Sequence, residues 1–178
     1  MHDNIWFTYK ARIRAHLRLA SNDFHTQLLM VWYALAGSLL GVVSIRYPKI
    51  LGNDTDLIAA LISTALLVIS MLVANRDFRG RAIQMRTNYL ALGELYRKAN
   101  NGGVSQEQAN SEYQQLLNAV EIHSEIDDKY FRVFHSGNLT SRQPTLRERA
   151  DVISYIVTRT LGLAACYLLP VVSVFASW

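Results

Sequence analysis

Apolar and polar positions alternate along this chain on two scales. On the long scale, Lys, Arg, Asp and Glu are absent from 24–45, from 57–75 and from 160–178, stretches of 22, 19 and 19 residues. A helix rises about 1.5 Å per residue and a bilayer core is about 30 Å thick, so about 20 apolar residues cross it. The pattern predicts spans at 24–45 and 57–75, closely linked as a transmembrane hairpin, and a third at the C-terminal end. The third begins at Arg159, whose long side chain can reach the headgroups, and carries Pro170, which can kink it. A membrane-surface or re-entrant helix is the alternative for that segment.

On the short scale the remaining segments have helical periodicity. Trp6, Tyr9, Ile13, Leu17, Ala20 and Phe24 are spaced as one face of a helix over 3–23, with Lys10, Arg14 and Arg18 on another. Phe78, Ala82, Met85, Tyr89, Leu92 and Tyr96 keep a coiled-coil spacing within 76–100. Asn100 to Gly103 interrupts it, and Ser105 with Gln108 gives a capping box for a second helix over 105–135. There Ala109, Tyr113, Leu116, Val120, His123, Asp127, Tyr130 and Phe134 continue the spacing. Two matched seams across a Gly-Gly turn predict an antiparallel hairpin, with the N-terminal helix available as a third member. Pro48, Gly52 and Asn53 break the loop between the first two spans, and Asp56 is suited to cap the returning helix. Thr145 with Glu148 forms another capping box, after Gly137 and Pro144.

The fold class is therefore an all-α membrane protein: a transmembrane helical hairpin, an antiparallel helical hairpin and a third C-terminal transmembrane helix. Residues 1–135 form one domain, and 136–178 a linker with the last helix. The 178 residues carry 18 Lys and Arg against 14 Asp and Glu, for a pI near 9.3. Such charge can signal nucleic acid, but its placement points to the bilayer. Four basic residues precede the first run, two lie between the first and second, and twelve fall between Arg76 and Arg159. The positive-inside rule places the N-terminus and 76–159 in the cytoplasm, the 46–56 loop outside and Trp178 outside. No direct nucleic-acid binding is expected. The segment before the first run is too long and too regularly patterned for a signal peptide. Cys166 is the only cysteine, so no internal disulfide can form.

The candidate chemistry is sparse. Gly102-Gly103 lacks the residues of a phosphate-binding loop, and no serine lies in a nucleophile elbow. No catalytic residue, metal site or cofactor is expected. Ala34, Gly37, Ser38 and Gly41 form a small-residue face that lets membrane helices approach closely. Ser63, Thr64 and Ser70 could bond between helices or line a narrow wet path. Arg76, Arg79, Arg81 and Arg86 form a basic face for topology and anionic lipid. Tyr89, Leu92, Tyr96, Tyr113, Leu116, Val120, His123 and Asp127 make up an expected oligomer seam. His123 and Asp127 share a helix face, which as a polar layer would fix register. A membrane enzyme using this pair is a third reading.

The order of features resembles the SLATT superfamily of bacterial two-transmembrane effectors. The likeness runs through Trp6 with Ala11-Arg12, the close hairpin, the basic helix with Asn88-Tyr89 and Leu92, and Tyr113 through Asp127. It covers roughly residues 4–135, the last helix resembling an extension found in one subgroup. The resemblance implies an oligomeric effector of anti-phage defence in the inner membrane. It would form a pore when a nearby sensor protein or nucleotide-derived trigger acts, arresting the infected cell. The rival reading is a non-conducting membrane anchor or scaffold that recruits a cytoplasmic partner.

Overall fold

The structure is a computed structural model that describes residues 2–50, 52–139 and 141–176. Trp178, the expected outer end of the third span, lies outside the described residues. The described residues form six α-helices: α1 (His2–Arg46), α2 (Thr55–Asn75), α3 (Phe78–Asn100), α4 (Gln106–Asn118), α5 (Glu125–Phe134) and α6 (Leu146–Ala176). A 3₁₀ turn covers Ser136–Asn138, and the described residues contain no strand. Helices α1 and α6 and the continuous stretch Thr55–Asn100 each contain a window long and apolar enough to cross a membrane. The protein is thus an all-α membrane protein. Two compact units interleave in sequence: Met1–Ser21 with Phe78–Val157, and Asn22–Asp77 with Thr158–Trp178. Each takes residues from both halves of the chain, rather than dividing near residue 135.

The first, extramembrane unit is built around the N-terminal part of α1. Its buried residues are Ile5, Phe7, Ala11, Arg12, Ala15 and Leu19. This is not the face marked by the largest apolar side chains, since Leu17 is half exposed. Two alanines point inward because α1 packs closely against α3. One cluster joins Ile5 to Leu92, Leu95 and Ala109, and a second joins Ala15 and Leu19 to Ala82 and Met85. A third joins Phe7 to Phe131 and Leu139, with Trp6 packed on it. The face of Lys10, Arg14 and Arg18 is half-buried as well. The Arg14 guanidinium lies 3.5 Å from the Tyr130 ring centroid, and Lys10 sits over the Trp6 and Tyr9 rings.

Local chemistry sets the helix ends. At the end of α3, Gly102 takes φ +71°, and its N–H and that of Gly103 donate to the Ala99 and Lys98 carbonyls. This closes a Schellman motif. Helix α4 then starts with the reciprocal Ser105–Gln108 box. The helix expected over 105–135 is broken: α4 ends at Asn118, and α5 begins after Ser124, whose N–H donates to Asp127 Oδ2 at 3.1 Å. The helix expected over 76–100 starts two residues late, because Asp77 adopts φ 42°. Helix α2 begins at Thr55, so Asp56 lies in its first turn, not at the cap. At the start of α6, the Thr145 N–H donates to Glu148 at 2.9 Å, and the Glu148 N–H returns a bond to Thr145 Oγ1.

Arg12 explains why α4 stops where it does. It is 1 % exposed and its Nη1 donates to Asn88 Oδ1 on α3 and, at 2.9 Å, to the Leu116 carbonyl. Its Nη2 reaches the Leu117 carbonyl at 3.3 Å, and Asn88 Nδ2 also donates to Leu116 at 2.8 Å. Both carbonyls belong to the last turn of α4, where helical donors run out. Replacing Arg12 with Met should cost about 2–4 kcal/mol, since it leaves buried acceptors unpaired. Thermal unfolding in detergent would then show a clearly lower midpoint than wild type, and an unchanged midpoint would refute the capping role.

Candidate functional site

The membrane unit contains the second part of α1, helix α2 and the end of α6. Its polar contacts concentrate on one helix pair. Trp32 Nε1 donates to the Tyr167 carbonyl at 3.1 Å, and the Tyr33 hydroxyl donates to the Cys166 carbonyl at 2.9 Å. His25 Nδ1 lies 3.1 Å from the Tyr167 hydroxyl, and Arg159 Nη2 donates to Asn22 at 2.9 Å. These four bonds tie α1 to α6. The last gives Arg159 a protein partner in addition to its reach toward headgroups.

Helix α2 is held differently. Ser63 and Thr64 donate to the carbonyls of Ala59 and Ala60, and Ser70 donates to that of Leu67. All three hydroxyls bond within their own helix, so they do not bridge helices. A crevice of about 510 Å³ is lined by Leu29, Met30, Tyr33 and Ala34 of α1, by Leu66 and Ser70 of α2, and by Cys166 of α6 among others. In the apolar windows of α1 and α2, none of the residues is buried within the protomer. Of the small-residue face, Ala34 and Ser38 lie on the same helix as Gly37 and Gly41. A Cβ added at either glycine would meet nothing within 4 Å. That face is open to lipid or to another chain.

In the extramembrane unit the expected oligomer seam is already occupied. Leu92 is fully buried, with Tyr96, Tyr113 and Leu116 packed on its cluster and Val120 on that of Met85. The Tyr89 ring meets those of Tyr9 and His16. Asp127 is buried and takes a bidentate pair of bonds from Arg18, both 2.9 Å. The bond to Asp127 raises the Arg18 pKa. The seam is therefore the core between α1, α3 and α4, because α1 fills the groove that a second copy would have entered. His123 and Val120 stand in the loop between α4 and α5, not on a helix. On the basic face, Arg81 pairs with Glu121 at 2.9 Å, while Arg76, Arg79 and Arg86 are exposed.

Two features could not be read from spacing. Arg12 looked like one member of a basic segment, yet burial lowers its pKa and, among the described residues, its bonds run to Asn88 and to the Leu116 and Leu117 carbonyls, not to a carboxylate. Trp32 and Tyr33 looked like part of a uniform apolar span. Their neighbouring polar tips were the available signal, since buried Trp and Tyr usually seek partners.

Glu148 and His123 are among the groups of the extramembrane unit whose pKa values are displaced. Arg132 and the Thr145 N–H hold Glu148 down to about 2. Burial, then the nearby Arg12 charge, holds His123 below the ordinary imidazole range, and its Nδ1 is buried without a protein partner. The unfolded chain therefore takes up a proton at His123 before the folded one does. Stability from the neutral ring is fully present above about pH 6.5 and is lost as pH falls below it. Unfolding followed at pH 7.5 and pH 5 should show a smaller drop in midpoint for His123→Gln than for wild type. Equal drops would remove His123 from the pH response.

The comparisons with known proteins agree with this architecture. The family described as SMODS and SLOG-associating 2TM effector domain family 5, a SLATT family, matches residues 1–176. The chain belongs to this family, and α6 lies inside the matched region up to its last described residue. No curated protein and no solved structure matches the chain.

Proposed function

We propose that this two-transmembrane effector serves bacterial anti-phage defence by opening a pore, or otherwise breaching the inner membrane, when triggered. The supporting observation is the contrast between its two units. The extramembrane unit is closed around its own core, whereas the windows of α1 and α2 are unburied and Gly37 and Gly41 are unobstructed. In hydrocarbon there is no hydrophobic drive to pair helices, so close packing at small residues supplies the association. Copies of the chain assemble through the Gly37 and Gly41 face of α1, and the protein acts without catalysis. The trigger is a partner sensor or a nucleotide-derived signal. It needs only a few kcal/mol of preference for the open assembly to switch it.

Sixteen of the 18 basic residues lie outside the 46–56 loop, in the segments before the first span and from Arg76 to Arg159. This supports a cytoplasmic N-terminus and a cytoplasmic 76–159 region by the positive-inside rule. Arg76, Arg79 and Arg86, exposed on this side, would contact anionic headgroups.

A second reading is a scaffold that recruits a cytoplasmic partner and does not conduct. Ile83 and Leu90, one heptad apart on the outer face of α3, are each 56 % exposed and favour it. A potential-sensitive dye separates the two readings: depolarisation after induction supports the pore, and a steady potential supports the scaffold.

Gly37→Leu and Gly41→Leu test the assembly directly. Each added side chain has open space within the protomer, so folding and insertion should survive. Depolarisation and growth arrest should nevertheless fall to background in both. Variants that arrest growth as fast as wild type would rule out this face as the contact.

A further inference from the structure

Pro170 lies inside α6. Proline has no amide N–H and its ring crowds the carbonyl four residues earlier, so the Cys166 carbonyl loses its helical donor. In water that carbonyl would be hydrated. In hydrocarbon it has no such recourse, and an unpaired backbone group there is costly. The Tyr33 hydroxyl donates to this same carbonyl at 2.9 Å. Its neighbour Trp32 donates to the next carbonyl, Tyr167, at 3.1 Å. Consecutive aromatics on α1 thus address consecutive carbonyls in the turn that Pro170 opens.

We propose that Trp32, Tyr33 and Pro170 form a latch that holds α1 against α6, and that its release is coupled to the entry of water into the membrane unit. The latch stands on geometry alone, and its role in gating rests on the pore reading. Separating the two helices leaves two donors and the Cys166 carbonyl without partners. Lipid tails cannot satisfy them, so separation proceeds only together with hydration. The adjoining crevice of about 510 Å³ borders both Tyr33 and Cys166. While the latch is closed its lining is mostly hydrocarbon, which stays dry or takes an acyl chain. Water needs two to four polar partners to be held in such a space. The released indole, phenol and Cys166 carbonyl supply them, so wet and dry states exclude each other.

Cys166, the only cysteine, borders the crevice and reports on its hydration. The full-length protein in vesicles of phosphatidylcholine and phosphatidylglycerol is treated with a charged methanethiosulfonate reagent, whose sulfur a water-exposed thiolate attacks to form a mixed disulfide with release of methanesulfinate. Efflux of an entrapped dye is followed in parallel. Trp32→Phe with Tyr33→Phe keeps both aromatic bodies and removes both donors. Cys166 modification should rise roughly tenfold, the shift expected from losing two interhelical hydrogen bonds in a membrane. Adding Pro170→Ala returns an N–H to the Cys166 carbonyl and should restore the wild-type rate. An unchanged rate in the double variant overturns the latch. So does an elevated rate that Pro170→Ala fails to lower, since that would mean lost packing rather than an unpaired carbonyl. If modification follows the expected pattern without dye efflux, the latch stands and the pore reading fails.

Discussion

A guanidinium with no carboxylate organises the extramembrane unit. Burying an arginine costs several kcal/mol in desolvation, and the usual compensation is an acid. Here the compensation is a helix end. The last-turn carbonyls of α4 carry the negative pole of the helix and lack helical donors, so they accept what Arg12 offers. Asn88 completes the arrangement by bonding both Arg12 and the Leu116 carbonyl. Three elements that a hydrophobic core alone would leave free to slide are thereby fixed in register. Ile5 then meets Leu92 and Leu95, and Ala15 and Leu19 meet Ala82 and Met85. The arrangement also decides where α4 must stop, which frees Ser124 and Asp127 to begin α5 and places Asp127 for Arg18.

The membrane unit faces the same requirement in a harsher solvent. Each backbone acceptor left over by an irregular helix must be paired inside the protein, because lipid offers nothing. In the extramembrane unit a charged side chain meets the ends of a helix. In the membrane unit two neutral aromatics meet the middle of one, at Pro170. The difference follows from cost, since an ionised partner at that depth would be far more expensive than an indole or a phenol.

Most of the architecture was legible because it rests on composition and period. The charge-free runs located the membrane helices, the Gly102 turn and the Ser105 and Thr145 boxes located helix ends, and the basic residues gave an orientation to argue from. The chain's family was legible too, from the order of Trp6, the hairpin and the 76–127 helices. What spacing could not reveal was the partner of each seam. Tyr89, Leu92, Tyr113 and Leu116 carry a seam that one period describes equally well for a second copy or for α1. Only the tertiary contact of Ala15 with Ala82 settles it, and two alanines give almost no signal in a hydropathy profile. The break after Asn118 was hidden for a similar reason. Its tertiary cause, Arg12, lies about a hundred residues earlier in the chain, and the local cue is the Ser124–Asp127 capping box that opens α5.

Filling the seam from within changes where association between chains can occur. A helix bundle whose groove is taken by its own N-terminus can meet another copy only through residues outside that groove, such as the exposed Ile83 and Leu90. The membrane helices are the opposite case. The Ser63, Thr64 and Ser70 hydroxyls of α2 each donate to a carbonyl of their own helix. A crevice bordered by α1, α2 and Cys166 of α6 runs beside that helix. A span held in this way can exchange one set of neighbours for another at low cost, because lipid and protein offer it nearly equal environments. The α1–α6 pair cannot do so, since parting those helices strands the Cys166 acceptor, which only water could satisfy. An assembly made from such parts would rearrange α2 easily and α6 reluctantly. The barrier to opening would then reside in the pair of hydrogen bonds at Pro170 rather than in the apolar packing of the hairpin.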